Sequence, residues 1–263
     1  MSVMKIKNIF FLSFLMIFAL LPAKAQNEHN QTSLEDLLVK GNAYYNENKY
    51  DTAIIFYREI LKSGKESATL YYNMGNAFYK SNDYAMAILN YEKALKLNPN
   101  YDDAKQNLDM AKLHTSDKIE PMPELFLSKW WKNIVNLFDA RQWTTLSLVS
   151  FAVLLIFAFF YFTARNRSLK KTMFFALIIM FVLTIIGFRA SHSRNEYLST
   201  HNEAVIIVPT TTVKSAPADN SVDKFVLHEG TKVEIQEVVD DWYKIKIANG
   251  SNGWLPSDNM VRF

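Results

Sequence analysis

Residues that could do chemistry are scattered in this chain. The five histidines, His29, His114, His192, His201 and His228, fall in a tail, a helix end, a linker and a turn, and no two share a helix at metal-ligand spacing. The acidic pair Asp102-Asp103 stands where a helix begins, so it reads as favouring a helix N-terminus rather than as a catalytic dyad. His228-Glu229 sits in a strand turn, where a solvated pair is the default. No phosphate-cradling glycine loop, serine nucleophile elbow or His-Glu-x-x-His occurs. These patterns argue against an enzyme, a metal site or a cofactor.

Side chains suited to gripping another chain recur instead. Asn42 and Asn76 are 34 residues apart (76 − 42), and each precedes a tyrosine, Tyr45 or Tyr79, by one helical turn. Asparagine inside a helix costs a few tenths of a kcal/mol relative to alanine, roughly, so its use twice at one position implies a purpose. It can bond a partner's backbone, since the amide both donates and accepts, or it can bridge neighbouring helices. The tyrosines offer flat contact area or act as packing residues.

The elements that hold these residues repeat with the same shift. Gly41-Asn42-Ala43-Tyr44-Tyr45 returns as Gly75-Asn76-Ala77-Phe78-Tyr79, and Tyr50-Asp51-Thr52-Ala53-Ile54 with Tyr57 returns as Tyr84-Ala85-Met86-Ala87-Ile88 with Tyr91. Asn48-Lys49 and Ser81-Asn82-Asp83 make the turns within the repeats, and Gly64 and Pro99 end the outer helices. This resembles the tetratricopeptide repeat over about 33–100. The resemblance implies a concave groove lined by the first helix of each repeat, here Asn42, Tyr45 and Asn46, then Asn76, Tyr79 and Lys80, holding a protein or peptide partner. Leu38 and Tyr72 occupy one position at which carboxylate-clamping relatives carry lysine. A helix over 102–114, with Ala104, Leu108 and Ala111 as its inner stripe, is expected to cap the repeats, giving a unit of 33–114.

Two apolar runs, 144–163 and 172–188, divide the chain and predict transmembrane helices at 143–163 and 172–189. The loop 164–171 carries Arg165, Arg167, Lys170 and Lys171 without an acid, which places it in the cytoplasm and both flanks outside. Residues 1–25 have the secretory pattern, with Lys5 and Lys7, an apolar run and Ala23-Lys24-Ala25, followed by a tail at 26–32. Both point to an inner-membrane protein with periplasmic ends. The 115–142 stretch, with Trp130, Trp131 and Ile134 at helical spacing, predicts an amphipathic helix on the outer leaflet, or one packed on the repeats.

The formal charge of +3 does not indicate a nucleic-acid partner. Residues 26–142 hold 14 basic and 16 acidic residues and 203–263 hold 6 and 9, so the excess lies in the leader and the membrane flanks. Cysteine is absent, so each region outside the hairpin is expected to be stable by packing alone.

After a linker at 190–203, alternating runs at 204–208, 210–214, 232–236, 242–247 and 260–263 predict a small barrel. Alternation puts Tyr243, Ile245 and Ile247 inside and Trp242 outside. Val213-Lys214-Ser215-Ala216-Pro217, His228-Glu229-Gly230-Thr231-Lys232-Val233 and Gly253-Trp254-Leu255-Pro256 together resemble a bacterial SH3-like domain over 204–263. That resemblance implies a ligand face of Trp242, Trp254 and Pro256. Met260 stands about where peptide-binding relatives have tyrosine.

The predicted fold class is therefore multidomain: all-α tetratricopeptide repeats, a two-helix transmembrane hairpin and a small all-β SH3-like barrel. This architecture resembles the Bacteroides aerotolerance (Bat) family. The resemblance implies an interaction scaffold in envelope stress or oxygen tolerance, acting with von Willebrand A-domain membrane proteins and a MoxR-type ATPase. The rival expectation is a peptidoglycan-binding or envelope-sensing protein that works through its SH3-like domain.

Overall fold

The computed structural model describes residues 28–123, 125–200 and 202–263, with side chains from Leu34 onward. The expected signal peptide and its cleavage site lie outside the described residues, as does His201. Five helices come first: α1 Glu28–Asn46, α2 Tyr50–Lys62, α3 Ala68–Lys80, α4 Tyr84–Leu97 and α5 Asp102–Lys112. Ser67 Oγ and Asp83 Oδ1 cap α3 and α4 by accepting from the amides of Leu70 at 3.1 Å and Met86 at 3.0 Å. Asn48 and Asn82 make the expected turns with φ of 59° and 62°, the left-handed region that asparagine tolerates.

The repeated glycines are gaps for tyrosine rings. A Cβ on Gly41 would lie 2.5 Å from Tyr57 Cε1, and one on Gly75 would lie 2.5 Å from Tyr91 Cε1. The helices of each pair therefore close on a ring, and both rings are fully buried beside Ile54, Ala77 and Ile88. Helix α5 buries Ala104, Leu108 and Ala111, as its stripe predicts.

The C-terminal region is one antiparallel sheet in the order β3-β2-β6-β5-β4-β1-β7. Its strands are β1 Glu203–Ile206, β2 Thr210–Lys214, β3 Asp223–His228, β4 Lys232–Val239, β5 Trp242–Lys246, β6 Asn252–Pro256 and β7 Met260–Arg262. Ala204, Val213, Ile245 and Leu255 are fully buried, and Met260 joins their core. Strands β3 and β6 go beyond the sequence expectation. Asn252, Gly253 and Pro256 are turn-forming residue types, yet β6 pairs with β5 throughout its length.

Residues 33–142 and 190–263 form a single compact unit. Within this unit the repeats and the C-terminal sheet pack against each other along one seam. Val205 and Phe263 belong to the buried cluster that holds Ile88, Leu89 and Tyr91 of α4. Around this seam the Glu92 carboxylate receives Lys112 at 3.0 Å and Lys232 at 2.9 Å, and Lys232 also reaches Glu203 at 2.8 Å. Burial alone would raise the Glu92 carboxyl, but the two lysines outweigh it and hold it below the ordinary carboxylate range. Asp117 is a second fastening: it accepts from the His228 amide at 2.8 Å and the Thr231 hydroxyl at 2.7 Å, and its other oxygen lies 2.7 Å from His228 Nδ1.

The second unit contains residues 143–189. Helices α7 Ala140–Thr163 and α8 Arg167–Ser199 are long and apolar enough to cross a membrane, and little of either apolar stretch is buried. They pair along Ser147, Ser150, Thr184 and Gly187, with the Ser150 and Thr184 hydroxyls 3.1 Å apart. Helix α8 begins inside the expected loop and runs through the expected linker, ending within the first unit, where Arg194 donates to the Lys96 carbonyl. Between 114 and 140 lies α6, Phe126–Val135.

Candidate functional site

The concave side of the repeats gathers all six residues expected there. Asn42, Tyr45, Asn46 and Asn76 line a hollow of about 280 Å³ together with Tyr57 and Asn73. Tyr45, Asn76, Tyr79 and Lys80 line an adjoining hollow of about 260 Å³ with Tyr72, Tyr91, Asn107 and Met110. Tyr45 and Asn76 are common to both, so the two hollows read as one groove.

Each groove asparagine is held by its oxygen. Asn42 Oδ1 accepts from the Tyr57 hydroxyl at 2.8 Å and from Asn73 Nδ2 at 3.1 Å. Asn76 Oδ1 accepts from the Tyr91 hydroxyl at 2.7 Å and from Asn107 Nδ2 at 2.8 Å. Burial pushes the Tyr57 phenol up to about 12 and the Tyr91 phenol higher still, so both stay neutral donors. The asparagines thus bridge neighbouring helices, one of the two uses open to them. Their Nδ2 groups make no hydrogen bond among the described residues and remain donors for a carbonyl laid along the groove.

The tyrosines are half-buried and pack against the repeat core, so they serve as walls and as structure. Tyr45 meets Tyr50 edge-on at 5.4 Å, and the Tyr79 hydroxyl lies 3.3 Å from His114 Nε2. His114 stacks on Tyr84 at 4.0 Å. Asn46 and Lys80 are exposed at the rim.

Asn73 and Asn107 lie outside the Gly-Asn-Ala segment that marks the repeat. They are themselves 34 residues apart (107 − 73), and a further shift along the chain would have found them. Helix α5 therefore continues the repeat register and supplies the groove with the asparagine that the first helix of a third repeat would carry.

The barrel offers a separate face. Trp242 and Pro256 are direct cross-strand partners on β5 and β6, and Trp254 is paired with Lys244, whose Nζ lies 5.8 Å from the Trp254 ring. All three expected residues are half-buried, so one side of each remains open. Tyr243 lies against the core and under the Arg262 guanidinium at 5.3 Å.

No groups of three or more metal-binding side chains occur among the described residues. No curated protein matches the chain. Residues 37–63 and 68–101 match the Tetratricopeptide repeat family. The barrel is similar to the Bacterial SH3 domain family, which matches residues 209–261.

Proposed function

We propose that this protein is a membrane-anchored interaction scaffold whose repeat groove holds an extended segment of a partner protein. The observation that carries this is the groove itself: six expected residues line two adjoining hollows, and the Nδ2 groups of Asn42 and Asn76 make no hydrogen bond there among the described residues while their Oδ1 atoms are held. The family matches support interaction modules rather than catalysis. The grouping of the stretches on either side of the helix pair into one unit supports a hairpin whose two flanks share one side of the membrane. Loop charge makes that side the periplasm and the short loop cytoplasmic. In this reading the signal peptide at 1–25 delivers the chain to the inner membrane.

The finer assignment is a role like that of the aerotolerance protein BatE, with von Willebrand A-domain membrane proteins as partners and a MoxR-type ATPase in the same system. A photo-crosslinking residue in place of Tyr45 or Tyr79, activated in intact cells, should capture a membrane protein of that class. Absence of any protein adduct at both positions, in cells where the variants are folded and abundant, would sink the scaffold assignment.

The similarity to the bacterial SH3 family favours a second reading, in which Trp242, Trp254 and Pro256 bind peptidoglycan. Retention of the full chain on purified murein sacculi, lost on Trp242→Ala with Trp254→Ala, would support it.

A further inference from the structure

Helix α6 turns two different faces outward and inward. Trp131 and Val135 are directed inward, where they line a cavity with Leu108 of α5 and Tyr197 of α8. Phe126, Leu127 and Trp130 are 78 %, 73 % and 55 % exposed, and Leu125 just before them is 82 % exposed. Leu137, past the helix end, is 58 % exposed as well. So many large apolar side chains exposed within one short stretch of chain are unusual unless something covers them.

Chain continuity says what covers them. Four residues separate Val135 from Ala140, where the first apolar helix starts, and four residues reach at most about 14 Å when fully extended. Asp139 shortens the tether by capping α7: it accepts from the Gln142 amide at 2.7 Å while Gln142 Oε1 accepts from the Asp139 amide at 3.0 Å. A helix tied this closely to a membrane-crossing helix cannot leave the head-group region. Its composition suits that layer, with Trp130 on the exposed stripe, Lys129 and Lys132 on the same helix, and no acidic residue from 125 to 138.

We infer that the exposed stripe of α6 docks on the lipid surface of the leaflet from which α7 emerges. The inference rests on the reading of α7 and α8 as spanning helices, and goes beyond the scaffold function, which needs no lipid contact by the folded unit.

The sequence has no cysteine, so a single introduced thiol reports one site. The full chain is reconstituted in nanodiscs of phosphatidylethanolamine and phosphatidylglycerol, with an environment-sensitive fluorophore on Phe126→Cys, on Leu127→Cys, or on Asn220→Cys in the exposed barrel loop. A spin-labelled lipid carrying its quencher near the head group should quench the Phe126 and Leu127 sites several-fold more strongly than the Asn220 site. Equal, weak quenching at all three sites in discs that contain the protein would overturn the docking and leave the spanning reading intact. Close dipolar coupling between spin labels on two chains at Phe126, without lipid quenching, would assign the stripe to a second copy instead. Failure of the folded chain to enter discs would remove the spanning reading and the docking together.

Discussion

The Tyr91 hydroxyl donates to Asn76 Oδ1 at 2.7 Å, as the Tyr57 hydroxyl does to Asn42 Oδ1 at 2.8 Å. The groove asparagines are therefore part of the helix packing as well as of the surface offered to a partner. Asn76→Ala leaves a buried phenol without its acceptor and should destabilise the chain by about 1–3 kcal/mol. Asn46→Ala, at the exposed rim, should leave unfolding unchanged. If thermal unfolding of Asn76→Ala matches that of the parent, the bridge carries no stability.

The Asp117 fastening makes stability depend on acid. Burial alone would raise this carboxyl, but the bonds from Thr231 and His228 outweigh it and hold it below the ordinary range. A depressed folded value means that the contribution is complete above the unfolded carboxylate range, near pH 4, and is lost as pH falls through the folded value. Asp117→Asn should cost about 1–3 kcal/mol at neutral pH, and the gap from the parent should shrink below about pH 4. Urea unfolding at pH 7 and at pH 3 checks both; a gap that widens in acid would refute the assignment.

Lys232 joins the barrel to the repeats through Glu92 and keeps Glu203 paired. Lys232→Met leaves two carboxylates short of a cation at the seam, and loss of one partner from such a buried set costs about 3 kcal/mol. The further expectation concerns cooperativity. Calorimetry of the parent should show repeats and barrel melting together, and the variant should show the two transitions drawn apart. A single transition in the variant, unshifted from the parent, would mean that the apolar seam around Phe263 alone unites them.

Trp242 is half-buried against Pro256, outside the barrel core. Trp242→Ala should lower the melting temperature only slightly while weakening any ligand held on that face. A drop as large as that from Ile245→Ala, which empties a fully buried site, would make Trp242 a structural residue.

Much of this molecule could be read from residues close together in the chain. The 34-residue register carries the glycine gaps, the asparagines and the turns, because each depends on contacts within a repeat or with the next. The apolar helices were legible for the same reason. The seam was not. Glu92 and Lys232 meet across 140 residues, and Asp117 and His228 across 111, and in a linear reading each looks like an ordinary solvated charge. Strand β6 was obscured by its own turn-forming residues, whose preference is overridden by pairing with β5 along every residue. The oxygen side of the groove asparagines was hidden too, since Tyr57 and Tyr91 read simply as apolar repeat positions.

Phe263 lies in the same buried cluster as residues of α4, more than 160 positions earlier (263 − 97 = 166). The repeats therefore cannot finish their core as they emerge. That part of the core stays open until the C-terminal strands have been synthesised. In the interval the apolar surface that Val205 and Phe263 will cover is open, so the last strand synthesised is also the one that completes the core of the first helices.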